Sequence, residues 1–182
     1  MSQTVLKLTL DDFVADGPTA HLITPARHLE TDSQIEGVSL TLLSFGSDGR
    51  GALNELLTLR NGLTEPIVHV YQIHAAPKSV RAWIYHKHHI DRLAFTDGHF
   101  RVVLYDLRPD SATFHQLNVF DLGEERRCLV RIPPFVAHGV QNRGSRYASF
   151  VNMPTSVYDA SRPDKWRLSP DHPAAPYRFT DD

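Results

Sequence analysis

The segment Ser79–Gly98, "SVRAWIYHKHHIDRLAFTDG", concentrates the side chains of this sequence best suited to chemistry. His86, His88 and His89 fall within four residues, Arg81 and Trp83 precede them, and Asp91 follows. Imidazole titrates near neutrality, so such a cluster can move protons or, unprotonated, bind a metal. A second stretch, "IPPFVAHGVQN" (132–142), adds His138 after a Pro-Pro turn. On a strand, residues two apart share a face, which puts His86 and His88 with Ile84. His89 and His99 read as surface histidines.

Those residues must be held by short strands. From Glu36 onward the chain runs through "GVSLTLLSF", "LNELLTLR", "PIVHVYQI", "SVRAWIYH", "RLAFT", "FRVVLYDL", "TFHQLNVFDL", "CLVRI" and "YASFVNM". Turn signals such as "GSDGRG", "TDG" and "NRGS" separate them. This spacing predicts an all-β sandwich or small barrel with its core over about residues 36–153. "LNELLTL" has helical character, but its neighbours favour a strand. One further early strand is expected at "TVLKLTL". The tail 154–182 is rich in Pro and Asp and reads as irregular. Its Tyr158, Trp166, Tyr177 and Phe179 are expected to pack it back on the barrel.

A chain of 182 residues suits one domain. Nineteen Lys and Arg against 21 Asp and Glu give a net charge of -2, without the basic footprint that nucleic acid or an anionic membrane would call for. No apolar run reaches the ~18 residues of a membrane span. The N-terminus carries acids where a signal peptide needs an apolar core, so a cytoplasmic location is expected. Cys128 is the one cysteine and is read as a buried core thiol.

The two histidine stretches resemble the paired motifs of the cupin superfamily, a double-stranded β-helix jelly roll. The first motif falls on Ile84, His86, Asp91 and Gly98, and the second on Pro133, Phe135, His138 and Asn142. Ile84 stands where that pattern has its first histidine and Phe135 where it has glycine. "SDGRGALNELL", "SVRAWIYH", "VVLYDLRPDSATF", "IPPFVAHGV" and "PTSVYD" narrow the resemblance to the dTDP-4-dehydrorhamnose 3,5-epimerase family. That family consists of cupin-fold enzymes acting on 4-keto-6-deoxy nucleotide sugars without a metal.

The resemblance implies a homodimer, a nucleotide-sugar ligand, no cofactor and no metal. It sets Arg81 beside the substrate phosphates and makes Glu55, Gln72, His74, Trp83 and Asp91 candidate substrate contacts. The family's base histidine falls on Ile84, its lysine near Asp91, its tyrosine on Tyr158, and the acid orienting the base near Asp171. An aliphatic side chain cannot accept a proton, so His86 is the first candidate base and His138 the second, with Tyr158 as acid. Two other readings stay open: a cupin that binds a nucleotide sugar without turning it over, and a metal cupin with His86, His88, Asp91 and His138 as ligands.

Overall fold

The computed structural model describes residue 15 and residues 23–29, 34–59 and 65–180. The early strand expected at "TVLKLTL" lies outside them. The strands are β1 (Ile23–Thr24), β2 (Arg27–Leu29), β3 (Ser39–Leu42), β4 (Ser44–Asp48), β5 (Gly51–Glu55), β6 (Tyr71–Ala75) and β7 (Val80–Tyr85). They continue with β8 (Asp91–Phe95), β9 (His99–Asp106), β10 (Leu117–Gly123), β11 (Cys128–Ile132), β12 (Val136–Asn142), β13 (Ala148–Asn152) and β14 (Trp166–Arg167).

Two antiparallel sheets carry the jelly roll. One has five strands in the order β10-β9-β12-β7-β14, the other six in the order β2-β3-β11-β8-β13-β6. A separate three-stranded sheet, β1-β4-β5, stands beside them. The "LNELLTL" run is strand only through Glu55, and "PIVHVYQI" becomes strand only at Tyr71. No described helix is long and apolar enough to cross a membrane.

Alternation along the strands builds the main core. Phe100, Val102 and Leu104 of β9 meet Phe95 of β8, Val130 of β11 and Phe150 of β13 between the sheets. Phe95 and Phe150 stack at 5.0 Å. Cys128 is fully buried there, as its apolar strand predicts.

The outer face of the five-stranded sheet is also apolar. Trp83, Val103 and Ala137 are buried on it beneath Leu168, Tyr177 and Phe179 of the tail. Gly139 permits this approach, since a Cβ there would lie 2.6 Å from the Phe179 ring and 2.7 Å from Ala82 Cβ. Of the four tail aromatics, Tyr177 and Phe179 pack in this way. Trp166 stacks on Tyr85 while half exposed, and Tyr158 is 60% exposed.

Candidate active site

Pairing between β7 and β12 positions the site. His138 lies opposite Ile84, but Val140 lies opposite Arg81, so β7 holds one extra residue in that interval. Such a bulge re-aims side chains. Arg81 and Ile84 consequently line the same cleft, while Trp83 turns to the outer face and packs 5.6 Å from Phe179. Trp83, expected to contact substrate, therefore does not line this cleft.

The turn after β12's Pro-Pro pair preserves a glycine requirement. Phe135 has φ of 60°, a left-handed conformation that favours glycine, and its N–H donates to His86 O at 2.8 Å. The bond ties His86 to the turn leading into β12, and β12 carries His138.

The cleft encloses about 560 Å³. His86 and His138 enter it from the five-stranded sheet; Asp91, Asn152 and Tyr71 enter from the six-stranded sheet. Asp91 is the hub and is buried. Its Oδ2 lies 3.1 Å from His86 Nε2 and 3.3 Å from His138 Nε2, and its Oδ1 accepts from Asn152 Nδ2 at 2.9 Å. His89 Nε2 is 3.6 Å from Asp91 Oδ1. His89, expected at the surface, is a supporting member of this network, its side chain only 13% exposed. His99 is exposed beside Asp121, as expected.

Asp164, from the tail, fastens the histidine turn. Its carboxylate accepts from Lys87 N and His88 N at 2.8 Å each and lies 3.1 Å from His89 Nδ1. Its backbone oxygen bonds His86 Nδ1. A carbonyl can only accept, so Nδ1 carries a proton and Nε2 is the nitrogen presented to Asp91.

The two cleft histidines are tuned apart. Burial alone would lower His86, but the hydrogen bond and charge of Asp91, with Asp164 behind, hold its pKa above the usual value. Burial dominates at His138 and pushes it down to about 4, so it is neutral at pH 7. Burial would raise Asp91, yet the hydrogen bonds from His86 and His89 keep it well below the usual carboxylate range. Groups driven in opposite directions are the arrangement that acid–base chemistry uses.

Three cations, Arg81, Lys165 and Arg167, line the same cleft. Burial, followed by the charge of Arg167, lowers the Lys165 pKa. None of the three has an ion-pair partner among the described residues. The atoms of His86, Asp91 and His138 also lie within 4.8 Å of one another, a set able to hold a metal ion; His86, His89 and Asp164 form a second such set.

Other expected site residues are placed elsewhere. Glu55 lies on β5 of the separate sheet and is not among the cleft residues. Gln72 pairs with Val151 and does not line the cleft, which takes Tyr71 and Ile73 from either side of it. His74 reaches the rim, its ring bonded to Ser149 Oγ at 2.8 Å. Tyr158 lines a smaller adjoining cavity of about 220 Å³, which shares Tyr71, His86 and Lys165 with the cleft. His88 is exposed and absent from both metal-capable sets. Asp171 sits in an exposed turn, with its N–H on Ser169 Oγ. Sequence reasoning missed Tyr71, Asn152, Asp164, Lys165 and Arg167.

A family model described as dTDP-4-dehydrorhamnose 3,5-epimerase matches residues 32–174. The chain belongs to the dTDP-4-dehydrorhamnose 3,5-epimerase family. Among relatives of this epimerase-family chain is the spore coat polysaccharide biosynthesis protein SpsL of Bacillus subtilis, 34% identical over 74% of this chain and 89% of that protein. A probable low-salt glycan biosynthesis epimerase, Agl13, of Haloferax volcanii is 33% identical over 74% of this chain and 87% of its own length. A dTDP sugar isomerase from Desulfovibrio desulfuricans G20 superposes with a TM-score of 0.73 at 28% identity, covering 79% of this chain and 90% of that one.

Proposed function

We propose that this family member epimerises a nucleotide-linked 4-keto-6-deoxy sugar by removing and returning a proton on a carbon beside the C4 ketone. The observation that carries the reading is the pair His86 and His138, tuned in opposite directions on one buried carboxylate at a cleft bordered by three cations. Family membership and the sugar-epimerase relatives support it.

His86 is the base. Asp91 holds its pKa above the usual histidine value and so makes it the stronger base, whereas His138 at about 4 is too weakly basic. His86 Nε2 faces Asp91 Oδ2 in the free protein, so the proton reaches it once the incoming sugar turns Asp91 aside, and the contact re-formed with Asp91 stabilises the imidazolium. His138, neutral, shares the Asp91 oxygen and stiffens it. Arg81 and Arg167 take the pyrophosphate, for which planar guanidinium forks suit paired oxygens. Lys165, nearer the histidines, offsets the negative charge that an enolate brings close to Asp91.

The deciding experiment incubates the protein in D₂O with thymidine- and uridine-diphosphate-linked 4-keto-6-deoxy sugars and follows the sugar ring protons by NMR. Deuterium entering beside the ketone is expected. Binding without exchange would replace this reading with that of a nucleotide-sugar binding protein. A metal-dependent reaction is favoured by one observation, the compact His86–Asp91–His138 set. About one transition metal per chain, lost together with exchange on chelation, would support it.

The protein is further proposed to act in the cytoplasm as a homodimer. Among the described residues β6 is a sheet edge, and Ile67, Val68 and Val70 just before it are exposed apolar residues, a surface that a second copy would cover. A monomer mass by light scattering at tens of micromolar would overturn the dimer.

A further inference from the structure

Epimerisation needs a proton donor on the face opposite the base, and the hydrogen-bond chain from Asp91 through Asn152 ends on a phenol, Tyr71, on the wall across the cleft from His86. Asn152 Oδ1 accepts from Arg92 N at 3.3 Å, while Asn152 Nδ2 donates to Asp91 Oδ1 at 2.9 Å and to Tyr71 OH at 2.8 Å. A backbone N–H only donates and an ionised carboxylate only accepts, so the amide has one permitted orientation. Both of its hydrogens are then spent, one on Asp91 and one on Tyr71. The Tyr71 oxygen is therefore an acceptor in this bond, and its own hydrogen must point elsewhere. No described residue accepts that hydrogen.

Tyr71 opens β6 of the six-stranded sheet and lines both the cleft and its adjoining cavity. His86 follows β7 of the opposite sheet. A sugar ring seated between them would meet the imidazole on one side and the phenol on the other.

We propose that Tyr71 is the catalytic acid that returns the proton on the face opposite His86. This deepens the epimerase reading and rests on it. In the first half, the C–H bond breaks, His86 Nε2 takes the proton and the electron pair moves to the C4 oxygen as an enolate. In the second, the enolate carbon takes the Tyr71 proton on its other face, the ketone re-forms, and tyrosinate remains with Asn152 Nδ2 donating to it. Solvent then returns a proton to Tyr71 and removes one from His86, so no co-reactant is consumed. Burial and the Asp91 charge raise the Tyr71 pKa, which keeps the phenol protonated until it acts.

The test separates exchange from inversion. In Tyr71→Phe, His86 still removes and returns the proton on one face. Deuterium should enter with retained configuration at close to the wild-type rate, while formation of the inverted sugar falls ~10²–10⁴-fold, the usual cost of losing a general acid. The substitution removes one hydroxyl and leaves Asn152 bonded to Asp91, so the fold should hold; matching circular dichroism and melting would check this. Tyr158→Phe, at the phenol of the adjoining cavity, tests the rival acid in the same assay. Undiminished inversion in Tyr71→Phe, or its loss in Tyr158→Phe instead, would overturn the assignment while leaving the epimerase reading intact. Absence of exchange in the wild-type protein would remove both.

Discussion

Replacing Asp91 by Asn tests the hub of the site with almost no change of volume. The amide oxygen must stay on the side of Asn152 Nδ2, because that group only donates. The new Nδ2 then occupies the position of Oδ2 and donates toward His86 and His138 Nε2, 3.1 and 3.3 Å from the oxygen it replaces. A protonated His86 would meet it donor to donor, so the variant holds His86 neutral. In the wild type the folded-state pKa of His86 is raised, so its bond to Asp91 contributes fully below the unfolded value of ~6.5 and is lost as pH rises through the folded one. A charge-assisted bond contributes ~1.5–3 kcal/mol and a neutral one ~0.5–1.5 kcal/mol. Asp91→Asn should therefore destabilise by about 1.5–3 kcal/mol near pH 5.5 and by less than about 1 kcal/mol near pH 9, read from urea denaturation midpoints at the two pH values. Exchange should be abolished at both, since the lone pair that takes the substrate proton is engaged. Equal destabilisation at the two pH values, or a greater loss at the higher, would refute the charged His86–Asp91 bond.

His86→Ala should lower deuterium exchange by ~10²–10⁴-fold, and the wild-type rate should fall as pH drops through a midpoint above the ordinary histidine value, because the base must be neutral to act. Asp106→Ala should destabilise by ~3–5 kcal/mol in thermal or urea unfolding, with KM of the folded protein unchanged. The fully buried Asp106 carboxylate accepts from Arg108 Nε and Nη2 at 2.8 Å each, and from Ser111 Oγ and Thr113 Oγ1 at 2.7 Å each, yet it is no part of the cleft. Cys128, its thiol pushed up to about 12 by burial, should resist aromatic disulfide reagents in the native protein and react with one equivalent after denaturation.

The strands of the jelly roll were legible because their apolar residues alternate, and "CLVRI" is β11 from end to end. The run "DLRPDSATF", one of those that carry the family resemblance, is a hydrogen-bonded turn around Asp106, outside the cleft. At Phe135 the motif's glycine is missing from the sequence but its backbone conformation persists, so spacing was a better guide to the turn than residue identity. Gln72 and Tyr71 are neighbours on β6, and on a strand one residue changes the face, so Tyr71 lines the cleft and Gln72 does not. Trp83 faces away from the cleft for a related reason, since the bulge against β12 leaves no mark in local composition.

Asp164, Lys165 and Arg167 were illegible for a different reason. They belong to a tail without periodicity and reach the site because Trp166 pairs with Tyr85 and Arg167 with Ile84, across some 80 residues of chain. That pairing bears on the oddity at position 84. Ile84 gives its own position in the cleft no imidazole, but its backbone partner Arg167 brings a cation to the same wall. The tail also supplies the carbonyl that fixes the ring of His86. In the proposed mechanism proton transfer falls two residues beyond Ile84, on the histidine whose ring the tail carbonyl holds. A strand rises ~3.3 Å per residue, so the base stands ~6–7 Å from where a histidine at 84 would stand. Restoring Ile84→His should therefore not rescue His86→Ala on the same sugar carbon; if it did, the displacement of the base along the strand would have no chemical consequence.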